Sequence, residues 1–360
     1  MDLSSIPTIS HHADKSPAEI LRELALAAEG AEKDRYGDGG VVADLEERIV
    51  ELLGTEAAVV MPSGTMAQQI ALRIWSQRSG VPRVAFHPLA HLERGEEMGY
   101  RRLQGLDSVL VGERHRLLTV DDLDAVPEAL AALLLELPQR EIGGVLPPWD
   151  DLRAVVERAG EEGIARHLDG ARLWETKPFY QRTYSEIAGL FDSVYVSFYK
   201  IIDGLSGAAL AGTADFIDEA RIWRRRHGGT LIHLWPMAVS AMAGLDRHLP
   251  RIAEYHERAI EIAAMFAAID GVRVSPDPPH TNMMHVFVDG DHDRLVERHE
   301  TAAAEHGRVL FRTLHPTEVP DCWAFEITVG SVACDLDDAL IERLIRDALD
   351  PRATETSRLR

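Results

Sequence analysis

Short apolar runs alternate with segments of helical periodicity along the first two thirds of the chain. A buried strand is predicted where an apolar run is too short for a helix and stands between turn signals. A helix is predicted where apolar residues recur at i, i+3 and i+4. The predicted strands are 57–61, 83–86, 108–111, 132–137, 165–168, 193–198 and 208–211, and the predicted helices are 16–28, 42–53, 65–77, 89–99, 121–130 and 149–161.

This alternation is typical of crossover connections between parallel strands. The predicted fold class is α/β: a large domain with a mostly parallel sheet flanked by helices, plus a smaller α+β C-terminal domain. A helical run at 236–268 is predicted to precede strands 272–274, 283–288, 309–314 and 324–329 and helices 291–306 and 335–348. The predicted boundaries are an N-terminal segment 1–30, a large domain 31–245, a small domain 246–350 and a frayed tail 351–360.

Composition excludes some classes of function. The 360 residues carry 59 acidic against 38 basic side chains, a net charge of −21. A surface of that sign repels nucleic acid, so no nucleic-acid partner is expected. No signal peptide and no membrane-length apolar run is visible, which favours a cytoplasmic protein without a membrane partner. Cys322 and Cys334 fit no zinc pattern, and His292, His299 and His306 are interpreted as a solvated helix face, so no metal site is expected.

Ser63, Gly64 and Thr65 stand between a predicted strand and a predicted helix. A helix N-terminus presents free N–H groups and partial positive charge, which suit a phosphate group. Gly64 lets the backbone approach the anion, and the two hydroxyl groups add hydrogen bonds. The alternative interpretation is a serine that only caps the helix.

Asp169 and Lys200 each end a predicted strand of the same domain. Ligands of open α/β sheets bind at the carboxyl ends of the strands. A carboxylate there can pair with a pyridinium nitrogen, although an Asp-Gly turn with a surface ion pair is the alternative for Asp169. A partly desolvated lysine loses its proton more easily and becomes a nucleophile. Together with the phosphate motif, these residues predict pyridoxal 5′-phosphate (PLP), held as a Schiff base on Lys200.

The chain resembles the threonine aldolase/β-eliminating lyase family of fold-type I PLP enzymes. The likeness covers roughly residues 30–245 and is looser in the C-terminal third. It is carried by Tyr36-Gly37-Asp38 with Leu45-Glu46, Met61 to Ala67, His91 with Glu96 and Gly99, Glu136 with Gly143-Gly144, His167 to Arg172, Asp192 to Lys200, and Gly228-Gly229.

The resemblance implies roles for individual residues. Lys200 would bind the cofactor, Asp169 would pair with its pyridine nitrogen, and His91 would stack on its ring. Arg172 would face the cofactor and help to bind the substrate carboxylate. The predicted catalytic residues are Lys200, His91 and Asp169; Ser63, Gly64, Thr65 and Arg172 join them in cofactor binding, and Arg172, Gln139 and Tyr36 are predicted to bind substrate.

The chain departs from the family pattern where substrate should bind. Gln139 stands at the position of a family histidine linked to the β-hydroxyl of the substrate, and glutamine cannot act as a base near neutral pH. The family's second carboxylate-binding arginine is also missing from the stretch 324–329. The site is therefore not expected to be that of an ordinary threonine aldolase.

The predicted function is retro-aldol cleavage of a β-hydroxy-α-amino acid, a small-molecule substrate, to glycine and an aldehyde. His91 or a bound water would replace the missing histidine as the base. The alternative is a β-eliminating lyase, in which Lys200 removes the Cα proton and no hydroxyl base is needed. A third hypothesis is a non-catalytic protein with a PLP-enzyme fold. The resemblance also implies a homodimer or homotetramer.

Overall fold

Residues 3–352 are described by a computed structural model, and their contacts divide the chain into two units. The larger unit comprises residues 16–141 and 146–250, and the smaller unit comprises 3–15, 142–145 and 251–352. The predicted α/β fold class is confirmed, as the following paragraphs describe. The domain boundaries drawn from the sequence stay a prediction, and the predicted tail lies outside the described residues from residue 353 onward.

A seven-stranded sheet forms the centre of the larger unit, in the order β1-β7-β6-β5-β4-β2-β3. All pairs are parallel except the two that β7 makes with β1 and β6. The strands are β1 Ala57–Met61, β2 Arg83–Phe86, β3 Asp107–Leu110, β4 Ala132–Glu136, β5 Ala165–Gly170, β6 Ser193–Ser197 and β7 Ala208–Gly212. Their near-continuous apolar sequences follow from burial on both faces.

The register aligns three polar side chains near the carboxyl ends of β4, β5 and β6. Glu136 is the partner of Asp169, and Asp169 is the partner of Tyr195. Register partners on adjacent strands point to the same face of a sheet, about 4.8 Å apart. The ladder therefore places a carboxyl group, a second carboxyl group and a phenol in one row.

Helices cover both faces of this sheet. The longest, α3 (Gly64–Ser79), begins after the N-cap Ser63 and is followed by the C-cap Gly80, which has a left-handed backbone (φ 73°). Its buried side chains Ile70 and Ile74 pack against Phe216 of α10 in one apolar cluster. The helices of this unit are α1 Pro17–Ala27, α2 Gly40–Leu53, α3 Gly64–Ser79, α4 His91–Arg94, α5 Gly99–Arg102, α6 Val120–Asp124, α7 Trp149–Glu161, α8 Lys177–Tyr180, α9 Tyr184–Ala188, α10 Ala214–Arg226 and α11 Trp235–His248.

The smaller unit is built on a four-stranded antiparallel sheet, in the order β10-β11-β9-β8. One apolar cluster, which includes Phe266, Phe311 and Phe325, forms its core. The strands are β8 Val272–Ser275, β9 Met283–Asp289, β10 His315–Pro316 and β11 Cys322–Thr328, and the helices are α12 Ile252–Ala267, α13 His292–His306, α14 Ser331–Asp335 and α15 Asp338–Leu349.

Four predicted elements are wrong in extent or type. The helix predicted at 89–99 is two short helices, α4 and α5, and the helix at 121–130 ends at Asp124. The run 236–268 breaks at Pro250, which lacks the N–H that a helix interior requires. The strand at 309–314 is not part of a sheet: Val309 makes only an isolated bridge to Thr8, and the run is apolar because its side chains are buried.

The histidines of α13 do not form the solvated face that the sequence indicated. His299 is fully buried, its ring stacks on Phe311 at 3.8 Å, and its Nε2 accepts a hydrogen bond from Leu310 N. His306 lies 2.7 Å from an Asp347 carboxylate oxygen. Within residues 3–352, no helix has the length and apolar character needed to cross a bilayer.

Candidate active site

A pocket opens at the carboxyl edge of the large sheet, around the end of β6. The volume free of protein atoms inside it, including the part open to solvent, is about 560 Å³. The row of β4, β5 and β6 side chains forms its floor, and the N-terminal turn of α3 contributes to its wall. Its lining residues are Thr65, Gln68, His91, Glu96, Glu136, Pro138, Arg140, Asp169, Ala171, Arg172, Tyr195, Tyr199 and Lys200.

Lys200 follows β6 and brings an amine into this pocket. Its side chain is half-buried, and its Nζ lies 5.0 Å from the centre of the Tyr199 ring. Burial lowers the pKa of Lys200, and the positive charges of Arg172 and Arg140 lower it further. A lysine held in this way is a better nucleophile at neutral pH than a solvated one.

Asp169 and Glu136 are neighbouring acids on the floor of the pocket. Asp169 is 2% exposed, and its Oδ1 accepts a hydrogen bond of 3.1 Å from Ala171 N. Burial raises the pKa of Asp169, and burial together with the charge of Asp169 raises the pKa of Glu136. Two buried carboxyl groups cannot both ionise at low cost, so a cationic group beside Asp169 would stabilise its charged form.

His91 begins α4 and is held by a buried acid. Its Nδ1 donates to Glu96 Oε1 at 3.1 Å; the Glu96 side chain is 3% exposed, whereas that of His91 is 51% exposed. This hydrogen bond raises the pKa of His91. The other oxygen, Glu96 Oε2, is buried without a hydrogen-bond partner among residues 3–352. The imidazole lies against Gly95, where an added Cβ would come within 2.8 Å of Nε2.

The N-terminus of α3 approaches the floor very closely. The Ser63 hydroxyl accepts from Met66 N at 3.2 Å and so caps the helix. Gly64 packs on Tyr195, since a Cβ at this position would lie 2.0 Å from the phenol oxygen. Thr65, the next residue, faces the pocket. Only glycine allows the free N–H groups of the helix to come this near to the row of strand-end side chains.

A buried series of side-chain hydrogen bonds ends at Gln68, which lies one helical turn after Gly64 on α3. Trp75 Nε1 donates to Ser193 Oγ at 2.8 Å, and this hydroxyl contacts His167 Nδ1 at 2.8 Å. Gln68 Oε1 accepts from His167 Nε2 at 2.6 Å, and burial lowers the pKa of His167 to about 3, so the ring is neutral. Gln68 Nε2 is buried without a partner among the described residues, in a side chain that lines the pocket.

The pocket therefore brings together most of the residues singled out from the sequence. Lys200, Asp169, His91, Arg172 and Thr65 all line it, and Gly64 shapes its wall by packing on the phenol of the floor.

Besides Gly64, three predicted site residues do not line the pocket. Ser63 caps α3, and Tyr36 is 47% exposed beside Arg35. Gln139 is 3% exposed, and its amide donates to Glu136 Oε2 at 3.0 Å rather than facing Lys200. Arg140 lines the pocket in its place.

Sequence reasoning gave no role to several residues that the pocket includes. Glu96 and Glu136 contributed to the resemblance without a role, and Gln68, Arg140 and Tyr195 were not selected. Tyr195 and Ser197 are alternate residues of β6 and therefore share a face of the strand. This alternation was the available sequence signal that Tyr195 belongs to the site.

The donor set of the pocket fits PLP. An amine of lowered pKa suits the aldehyde, a buried carboxylate suits the pyridine nitrogen, and a glycine-opened helix N-terminus suits the phosphate. Two buried polar atoms of pocket-lining residues, Gln68 Nε2 and Glu96 Oε2, have no hydrogen-bond partner among the described residues. They are also consistent with a polar ligand, because buried polar groups normally have a hydrogen-bond partner.

Known proteins share both the sequence and the architecture. The β-eliminating lyase family model matches residues 13–290. A candidate L-allo-threonine aldolase from Listeria monocytogenes is 42% identical, with a TM-score of 0.92 over 95% of each chain. A candidate aromatic amino acid β-eliminating lyase/threonine aldolase from Exiguobacterium is 42% identical, with a TM-score of 0.91 over 95% of this chain and 97% of that one.

More distant relatives point the same way. Low-specificity L-threonine aldolase 1 from Arabidopsis thaliana is 25% identical over 308 residues, which are 82% of this chain and 85% of the relative. The family match, the two similar structures and the lysine pocket agree. The chain belongs to the threonine aldolase/β-eliminating lyase family of fold-type I enzymes and is a PLP-dependent lyase.

Proposed function

We propose that this enzyme cleaves a threonine-like β-hydroxy-α-amino acid to glycine and an aldehyde. The observation that carries the proposal is the pocket in which Lys200, Asp169 and the His91–Glu96 pair meet. The names of the relatives support the same reaction, since all three of those described above include threonine aldolase. Elimination of a β-substituent is the alternative outcome of the test.

The residues divide the work of binding and proton handling. When bound, PLP supplies an electron sink for the bond that breaks at Cα. Lys200 would hold the cofactor through its amine. The Asp169 carboxylate would pair with the ring nitrogen and favour its protonated form, because a charge pair in a buried site is strong. Arg172 binds the α-carboxylate and so orients the bond to be broken.

His91 is the base of the proposal. Its Nδ1–H donates to Glu96, which leaves Nε2 to accept the β-hydroxyl proton. The neutral imidazole is the active form, and the hydrogen bond to Glu96 raises the pKa of His91. Activity is therefore expected to be low when the pH is below the pKa of His91 and to rise as the pH increases through it. This transition should lie above the pKa of a free histidine. Replacing Glu96 with Gln should move this transition to lower pH.

The test is product identification with the PLP-loaded enzyme. L-allo-threonine, L-threonine, L-phenylserine and L-serine are incubated with it, and products are identified by mass. Glycine with an aldehyde supports the proposal, whereas pyruvate and ammonia from L-serine, without glycine, would replace it by β-elimination. His91→Asn should retain the cofactor and lose about 100-fold or more in kcat, the usual contribution of a general base.

His115→Asn is the matched control, since His115 is exposed in a turn and does not line the pocket. Its kcat should match that of the wild type. Unchanged cleavage by His91→Asn would show that another group, or a bound water, removes the hydroxyl proton.

We further propose a homodimer or homotetramer in the cytoplasm. Large apolar side chains stay exposed on the larger unit, among them Tyr36 at 47%, Leu205 at 49% and Ile232 at 49%. Exposed apolar groups of this size favour an interface. The two cysteines are free thiols, as a reducing compartment favours. Light scattering during gel filtration tests the oligomer, and a single-chain mass would contradict it.

A further inference from the structure

The loop after β4 presents a different residue to the pocket from the one that the sequence indicated. Gln139 Nε2 donates to Glu136 Oε2 at 3.0 Å, and Arg140 N donates to Glu136 Oε1 at 3.2 Å. Both oxygens of one carboxyl group thus bind consecutive residues of the loop. This clamp keeps the Gln139 amide buried and directs the Arg140 side chain to the wall of the pocket.

Two guanidinium groups consequently share the pocket with Lys200. The positive charges of Arg172 and Arg140 both lower the pKa of Lys200, so both lie close enough to its amine to act on it. Arg172 is 8% exposed and lies 3.5 Å from a Glu175 carboxylate oxygen. The two side chains approach from separate loops, one after β4 and one after β5.

Arg140 forms an ion pair of a kind that exchanges readily. Its Nη1 lies 3.1 Å from Glu141 Oε1, and the two side chains are 41% and 34% exposed. Exposed pairs of this type contribute about 0–1 kcal/mol. A substrate carboxylate can replace Glu141 at small cost, and a guanidinium group offers it two parallel hydrogen bonds.

The acids of the pocket have contacts of their own. Glu96 binds His91, Glu136 holds the loop, and Asp169 lies beside Glu136 in the register of the sheet. Arg140 and Arg172 bring two positive charges to the side of the pocket that holds the amine of Lys200. These charges favour an incoming anion on that side.

The geometry of an amino acid specifies which anion this is. The substrate amine must reach the position that the amine of Lys200 vacates. The carboxylate carbon of an α-amino acid lies only about 2.5 Å from its nitrogen, two bonds away. The carboxylate must consequently bind among the groups that surround the amine of Lys200, and the cationic ones there are the two arginines.

We propose that Arg140 is a specificity-determining residue that binds the α-carboxylate of the substrate together with Arg172. This inference rests on the proposed function only in taking an amino acid as the substrate. It accounts for carboxylate recognition in a chain that has no arginine in the stretch 324–329. It also predicts that amines without a carboxylate are bound without help from Arg140.

The experiment compares two ligands of the PLP-loaded enzyme. Glycine and methylamine are titrated separately, and binding is read from the change in cofactor absorbance, which requires no turnover. Arg140→Gln should weaken glycine binding by about 10- to 100-fold, the usual effect of losing hydrogen bonds to a charged group. Methylamine binding should change less than about 3-fold. Arg140→Lys should recover part of the loss, because lysine keeps the charge but not the planar fork.

Arg153→Gln is the matched control, since Arg153 forms an exposed ion pair with Glu157 on α7 and lies outside the pocket. Its affinities for both ligands should equal those of the wild type. Unchanged glycine affinity in Arg140→Gln, or an equal loss for glycine and methylamine, would overturn the proposal. If Arg140→Gln fails to bind PLP, the same comparison is made with Arg140→Lys, where a loss restricted to glycine decides in favour.

Kinetics separate this inference from the proposed function. Arg140→Gln should raise the KM for L-allo-threonine by about the same factor as the glycine dissociation constant, with kcat within a few-fold, as expected for binding that is equal in ground and transition states. An enzyme that binds glycine through Arg140 but releases no aldehyde would refute the aldolase proposal and leave the carboxylate site intact.

Discussion

Replacing Gly64 with Ala tests whether the close approach of α3 to the strand ends creates the phosphate site. A Cβ at this position would lie 2.0 Å from the phenol oxygen of Tyr195 and 2.5 Å from its Cζ. Tyr195 is 4% exposed and cannot swing into solvent without vacating the floor of the pocket. The helix end, the tyrosine or both must therefore move.

The size of the effect follows from the overlap. Carbon and oxygen atoms in comfortable contact are about 3.5 Å apart, so the groups must separate by roughly 1.5 Å. Overpacking of this kind typically costs about 1–3 kcal/mol. Hydrogen bonds to a phosphate do not survive a shift of this size, since each needs a donor–acceptor distance near 2.9 Å. We expect PLP affinity to fall by about 10- to 100-fold, since about 1.4 kcal/mol corresponds to a factor of ten.

The assay is an equilibrium titration of cofactor-free protein with PLP. Gly80→Ala is the control, because Gly80 ends the same helix with a left-handed backbone and no atom within 4 Å of a Cβ. It should lower the free energy of unfolding by about 1 kcal/mol through backbone strain and leave PLP affinity unchanged. The three atoms nearest to a Cβ at position 64 all belong to Tyr195, so the cost of Gly64→Ala should largely disappear in a Tyr195→Ala background.

Normal PLP affinity in Gly64→Ala would refute the reasoning. An equal loss in the presence and absence of the Tyr195 ring would also refute it, since the overlap could not then be the cause.

Three further predictions concern the buried acid, the buried histidine and the imidazole. Glu136→Gln should stabilise the cofactor-free protein at alkaline pH and not at acid pH. The pKa of Glu136 is raised in the folded protein, so the stability that this group contributes at low pH is lost as the pH rises. Urea unfolding of both proteins at pH 5 and at pH 9 would reveal the difference. The pKa of His167 is near 3 in the folded protein and 6.5 in the unfolded chain. The free energy of unfolding should therefore fall as the pH drops below 6.5, by at most about 1.4 kcal/mol per pH unit. Urea unfolding of His167→Gln should lack this slope. Gly95→Ala should displace the His91 ring and lower kcat with PLP affinity retained, and kcat equal to the wild type would contradict the contact.

The strands were predictable from sequence because each is a short apolar run bounded by turns. The predicted strands at 57–61 and 83–86 agree with β1 and β2 at both ends. Asp169, next to the last residue of β5, and Lys200, which follows β6, could be selected because polar groups at the carboxyl ends of apolar strands converge on one edge. Burial alone, which also makes a run apolar, explains why 309–314 resembled a strand.

The side-chain directions in the loop after β4 and the register of the sheet could not be predicted in the same way. No periodicity tells which of Gln139 and Arg140 faces the pocket, because loop residues have no repeating direction. That choice depends on hydrogen bonds to Glu136, a residue of the preceding strand. The alignment of Asp169 with Tyr195 depends on the pairing of β5 with β6, and a slip of one residue would reverse the faces.

The row formed by Glu136, Asp169 and Tyr195 has a consequence for how this enzyme can diversify. These three side chains are held by the hydrogen bonds of the sheet, which tolerate little change in the backbone. The neighbouring loop that carries Arg140 is held by side-chain hydrogen bonds outside the ladder, among them those to Glu136, and can accept substitutions without disturbing the ladder. Substrate preference is thus free to drift in a lineage while cofactor chemistry is inherited unchanged, so close relatives can share PLP and differ in the amino acid that they cleave.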